Sequence, residues 1–164
     1  MIEHQEPFQV GDQVIHWTYG PGVIIQLDEK SLSGRTRLYY VVQMRDLKLW
    51  VPVDQTDDRS LRLPTPKKEF EDLFQIFSSP GNTLSSDRNE RRLQLVERLK
   101  DHNLASICEV IRDLTLHKRS IKMNDNDNAT LERSRNFLIY EWSIAYSIPI
   151  WEAETELRKL LESV

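Results

Sequence analysis

The sequence predicts an α+β fold in two domains: a small antiparallel β-barrel over residues 1–66, then an all-α helical bundle over 83–164, joined by a connecting helix and linker over 67–82. Three observations predict it. Residues 8 to 63 hold short runs rich in β-branched and aromatic residues between turn signals. Four of the five glycines fall in that stretch. After Pro64 and Pro66 the apolar residues recur at helical spacing instead.

Taken in order, Gln13–Trp17, Gly22–Leu27, Leu38–Met44 and Leu47–Val53 read as strands. Tyr19-Gly20-Pro21-Gly22, Ser33-Gly34 and Arg45-Asp46 supply the turns, a spacing suited to a twisted antiparallel barrel or half-barrel. Gly11, Gly20, Gly22 and Gly34 stand where such a barrel needs a turn or a close backbone approach. Phe70, Leu73, Phe74 and Phe77 fit one helix, which Ser78-Ser79-Pro80-Gly81-Asn82 terminates.

Asp87 can cap a helix starting at Arg88, with Glu90 reaching back as in a capping box and Leu93, Val96 and Leu99 as the apolar stripe. Asn103 can cap the next, whose inward face is Leu104, Ile107, Cys108, Ile111 and Leu114. The polar run Asn124–Asn128 reads as a solvated loop that caps Ala129 or Thr130. A long helix then runs from about Ala129 to Ser147, apolar at Leu131, Leu138, Trp142 and Ala145. Pro149 suits the first turn of a last helix with Ile150, Ala153, Leu157 and Leu160 inward.

Composition narrows the function classes. The 164 residues carry 22 Lys+Arg against 26 Asp+Glu, a formal charge of −4, which argues against binding nucleic acid by bulk charge. No apolar run reaches the roughly 18 to 20 residues of a membrane span, and Met1-Ile2-Glu3-His4-Gln5-Glu6 lacks the basic and apolar regions of a signal peptide. The expectation is a cytoplasmic protein. The one cysteine, Cys108, excludes an internal disulfide or a cysteine-based zinc site and sits on an apolar helix stripe, the setting of a buried thiol.

No constellation for catalysis is present. His4, His16, His102 and His117 show no metal-ligand spacing, and there is no phosphate-cradling glycine motif or nucleophile elbow. Asp125 and Asp127 lack the glycine and distal glutamate of a calcium loop. The expectation is therefore a protein that is not an enzyme and needs no metal or other cofactor.

What remains is surface. Strand alternation puts Trp50 on the face of Lys48, opposite Leu47, Leu49 and Val51. It is either an exposed anchor for a partner or packed beneath the helix that starts near Lys67. Basic residues gather at Arg88, Arg91, Arg92, Arg98 and Lys100, and again at Lys118, Arg119 and Lys122. Residues 67–100 carry seven basic and six acidic side chains and are the net-positive one of the three segments 1–66, 67–100 and 101–164. Several of these arginines could project to one side of their helix as a phosphate-contacting patch, or form a solvated face paired with Glu90 and Glu97.

The order of motifs resembles the CarD/CdnL family of bacterial transcription regulators, whose amino-terminal module is shared with transcription-repair coupling factors. The residues that carry the resemblance are Phe8–His16, Tyr19–Ile24, Gly34, Tyr39–Val42, Val51–Val53, Arg62, Phe70–Phe74, Glu109–Leu114, Leu131–Arg135 and Glu141. The resemblance implies a Tudor-like β module that binds the RNA polymerase β subunit and a helical domain that touches promoter DNA at the upstream edge of the bubble. It implies no catalytic residues.

Carried onto this chain, the polymerase-facing positions are Lys30, Leu32 and Trp50, with Trp50 where the family uses a basic residue. The DNA-facing residues are Arg88, Arg91, Arg92, Lys118 and Lys122. Arg88 stands where the family carries a wedge tryptophan; an arginine can enter a narrow minor groove by charge. With a charge of −4 the DNA contact is expected to be weak and polymerase-dependent, made by a monomer with no membrane partner. The alternative is a polymerase-bound adaptor whose helical domain binds another protein and not DNA.

Overall fold

The structure is a computed structural model that describes residues 7–54 and 60–164, and the chain divides into two compact units, Met1–Pro64 and Thr65–Val164. In the first, β1 (Gln13–His16), β2 (Gly20–Leu32), β3 (Arg35–Gln43), β4 (Lys48–Pro52) and β5 (Leu61–Arg62) form an antiparallel sheet in the order β4-β3-β2-β1-β5. It is the open form of the expected barrel, with β4 and β5 at its edges.

Alternation sorts the strands into two faces. Val14, Ile24, Tyr40, Val42, Met44 and Val51 make the core, with Leu27 and Leu49 against it. Gly22 is required here by close approach: a Cβ would stand 2.7 Å from Val42 Cγ1 and 3.0 Å from the Gln43 carbonyl oxygen. His16 is buried, and its Nδ1 accepts the N–H groups of Thr18 and Tyr19 at 3.0 and 3.2 Å, so it braces the β1–β2 turn. His4 lies outside the described residues.

β2 is much longer than the apolar run Gly22–Leu27, because it continues as a hairpin arm whose outer half is exposed on both faces. It pairs with β3 from Val23↔Gln43 to Leu32↔Arg35, and a bulge at Ile25 lets so long a strand bend. Ser33 and Gly34 close the arm at φ 53° and 77°, the two left-handed positions of a hairpin turn whose twist matches the strands. β1 and β4 flank only the base of the hairpin, so its outer part is two-stranded.

The second unit holds a 3₁₀ turn (Lys67–Glu69) and five helices: α1 (Phe70–Ile76), α2 (Arg88–Leu99), α3 (Leu104–Ser120), α4 (Asp125–Tyr146) and α5 (Ile150–Glu162). α3 buries Leu104, Ile107, Cys108, Val110, Ile111 and Leu114 in one core with Leu131, Leu138 and Trp142 of α4 and Ala153, Leu157 and Leu161 of α5. α1 belongs to that core as well. Phe70 and Phe77 are buried, and Phe74 lies 4.5 Å from the Trp142 ring centroid.

Three local expectations are corrected. Leu93 and Val96 are 63% and 61% exposed, and the inward face of α2 is Arg91 and Leu95, with Leu99 partly covered. Asn124–Asn128 is not a loop: α4 begins at Asp125, capped by Asn124 in a reciprocal box with Asp127, because two Asx side chains three apart satisfy each other's backbone N–H groups. At α2 the Asp87 carboxylate accepts the Glu90 N–H, but Glu90 takes the Ser85 hydroxyl, which itself accepts the Asp87 N–H. Ser85 thus relays the contact that Glu90 was expected to make directly.

Candidate functional site

The chemistry on offer is that of two surfaces. On the sheet, the face opposite the core carries Asp28, Lys30 and Leu32 from β2, Arg35, Arg37 and Tyr39 from β3, and Lys48 and Trp50 from β4, as the registers Asp28↔Tyr39, Lys30↔Arg37 and Leu32↔Arg35 require. Trp50 is 40% exposed and leans over its neighbours: Nε1–H donates to Asp28 Oδ2 at 3.0 Å, and Lys30 Nζ stands 4.3 Å from the ring centroid.

Adjacent strands lie about 4.8 Å apart, so an indole rooted in β4 reaches Asp28 on β2 only by crossing β3. Leu32, 65% exposed, follows Lys30 on the same face of the same strand. Lys30, Leu32 and Trp50 therefore share one face, two of them in contact. Arg37 is held by Asp54 at 3.0 Å, and that hydrogen bond raises its pKa further.

In the helical unit the predicted cations part company. Arg88 and Arg92 are exposed one turn apart on α2, and Lys118 and Lys122 are exposed at the end of α3 and just beyond it. Arg91 is corrected as a DNA contact: it is 3% exposed, and its guanidinium binds Asp127 and the Ser85 and Ser86 carbonyls. Arg98 is turned inward as well, its Nη1 2.8 Å from Asp113 Oδ2. The arginines of α2 thus do not form one patch, because 91 and 98 fall on the buried side.

Two residues that matter here were not assigned these roles from the sequence. Asp28 precedes Lys30 by two and so shares its face, a signal legible only once Trp50 is placed across the sheet. Asp127 was discoverable from the Asn124-x-x-Asp127 spacing. Among the described residues no group of three or more His, Cys, Asp or Glu is arranged to hold a metal ion, and no helix is long and apolar enough to cross a membrane. Cys108 is buried, which pushes its thiol up to about 12, with the charges of Glu141 and Glu109 adding to the shift.

Comparison with known proteins accords with these two units. Residues 8–63 match the CarD-like/TRCF RID domain, and residues 72–158 match the CarD, C-terminal domain. The chain is also 23% identical over 143 residues to the Bacillus subtilis (strain 168) protein described as "Putative transcription factor YdeB", covering 86% of this chain and 94% of that one.

Proposed function

The chain belongs to the CarD-like family of transcription regulators, which carries an RNA polymerase-interacting domain, and we propose that it binds the polymerase β subunit through the outer face of its sheet and holds the promoter open complex through its helical unit. The observation that supports this reading most is the contact of Lys30 with Trp50 on a face shared with exposed Leu32. An exposed tryptophan is the kind of side chain that dominates interface energies.

Arg88 and Arg92 face the DNA, with Lys118 and Lys122 as further phosphate contacts. Arg88 enters the minor groove at the fork by charge rather than as an apolar wedge. A chain of charge −4 does not gather DNA from solution; once tethered on polymerase, the same few cations act at high effective concentration. Stabilising the open complex by about 1.4 kcal/mol shifts its occupancy ratio tenfold.

Capture of polymerase β by the wild type, and loss of capture on combining Lys30→Ala with Trp50→Ala, tests the first half. Equal recovery with both proteins, or none with either, refutes it. Open-complex lifetime tests the second: it shortens with Arg88→Ala and is restored or lengthened with Arg88→Trp.

A second reading has its own observation. Leu93 and Val96 are exposed on the helix that carries Arg88 and Arg92, and two bare aliphatics suit a protein partner of the helical unit better than a phosphate backbone. The gain in affinity of polymerase for forked promoter DNA on adding the chain, followed across a salt series, discriminates. Phosphate contacts make that gain fall along a line of log K against log salt, whereas an adaptor gives no gain.

A further inference from the structure

We infer that Asp28 is the positioning residue of the sheet's outer face: it fixes Trp50 across β3 as a preformed platform, and docking there proceeds by packing on the indole rather than by an ion pair from β4. This rests on the proposed polymerase-binding role of that face.

A tryptophan on an exposed edge strand has more than one place to lie. β4 lies at the edge of the sheet, and an outward side chain there can rotate into solvent. Trp50 instead lies inward over the sheet, where its one polar atom has a charged partner: Nε1–H donates to Asp28 Oδ2 at 3.0 Å, two strands away. A carboxylate acceptor makes this a charge-assisted bond, stronger than one to a neutral oxygen.

Lys30 sits over the ring at 4.3 Å from its centroid, where the ring's negative π face attracts the ammonium. The indole is therefore restrained at its nitrogen by an anion and on its face by a cation. Both contacts come from β2, the strand that ends in Leu32. The side-chain entropy that a free tryptophan gives up on binding has been lost before the partner arrives.

The anchoring also changes what the site recognises. Lys30 is occupied with the ring and Arg37 with Asp54, so the centre of the face presents an aromatic edge, with Leu32 further out beside the turn at the tip of the arm. An apolar side chain of the partner fits that centre, and affinity there depends little on salt.

The test uses the full chain. The indole N–H resonance of Trp50, identified by its loss in Trp50→Phe, is recorded for wild type, Asp28→Ala and Asp28→Asn, and each protein's affinity for polymerase β is measured. The expected result is a displaced Trp50 resonance and about a threefold to tenfold loss of affinity in Asp28→Ala, the range one hydrogen bond supplies. Asp28→Asn, whose side-chain carbonyl still accepts, restores most of both.

An unmoved resonance in Asp28→Ala overturns the positioning role. So does wild-type affinity of Asp28→Ala when Trp50→Ala has lost binding. Wild-type affinity of Trp50→Ala instead overturns the polymerase-binding reading of the face, a failure that the resonance data separate from the first.

Discussion

Arg91 on α2 grips Asp127 in the first turn of α4 with two parallel hydrogen bonds, Nε to Oδ1 at 3.0 Å and Nη2 to Oδ2 at 2.7 Å, while Nη1 donates to the Ser85 carbonyl at 2.9 Å. Both side chains are buried. The guanidinium thus joins α2, the segment leading into it, and the start of α4. Arg91→Ala leaves a buried carboxylate without its counter-ion and is expected to cost about 3–5 kcal/mol. Arg91→Lys keeps the charge but loses the fork and falls between. Urea unfolding of the helical signal measures both.

The same pair makes the helical unit acid-sensitive. Burial pushes the Asp127 carboxyl up, but the hydrogen bonds from Arg91 and from the Asn124 N–H, with the Arg91 charge, prevail and hold it below its ordinary value. A carboxyl that binds protons less readily when folded contributes stability above the unfolded carboxylate pKa of about 3.9. That contribution is lost as pH falls through the lower folded value. Asp127→Asn is expected to flatten the decline of the urea midpoint between about pH 5 and pH 2; an unchanged slope refutes it.

The corrected face of α2 is open to direct measurement. Leu95, buried in the core, is expected to cost about 2–5 kcal/mol on truncation to alanine. Leu93→Ala, on an exposed position, should stay within about 0.5 kcal/mol. Equal losses would restore Leu93 to the inward stripe.

That reversal shows where the sequence was legible. β1, β3, β4, the Ser33-Gly34 turn and the inward face of α3 could be read because each obeys a pattern that its own residues display. The expected turn at Tyr19–Gly22 falls earlier, since Gly20, Pro21 and Gly22 pair with His16, Ile15 and Val14. The two-residue β5 is too short to show a period, and α5 buries Leu161 more fully than Leu160. α2 misled because its inward face contains an arginine, whose burial is offset by the distant Asp127 and by the Ser85 and Ser86 carbonyls. Asn124–Asn128 looked like a loop for the same reason: its aspartate is neutralised from another helix. On the sheet, Lys30, Leu32 and Trp50 came from resemblance, and alternation along β4 put Trp50 outward. The Asp28 contact was hidden because it joins strands two apart in the sheet.

Cys108 provides a probe of opening in the helical core. A thiol pushed up to about 12 by burial and two nearby carboxylates has almost no thiolate at pH 8, and the thiolate is the reactive form. Native protein is expected to resist a disulfide-exchange reagent at pH 8, with one equivalent released on adding denaturant. Prompt reaction of the native protein would mean the core around α3 opens readily.

The hairpin arm links local backbone chemistry to docking. Ser33 holds φ 53° without glycine's freedom, and Gly34 holds φ 77° with open space where a Cβ would stand. Gly34→Ala therefore incurs only backbone strain, about 1–2 kcal/mol, whereas Ser33→Asn places the residue that best tolerates this turn's first position. Hydrogen exchange of the arm's cross-strand amides should quicken in Gly34→Ala and slow in Ser33→Asn. Because Lys30 and Leu32 ride on this arm, polymerase β affinity should move in the same order, since an ordered arm loses less entropy on docking. Exchange rates that change while affinity stays fixed would show that the tip of the arm lies outside the contact.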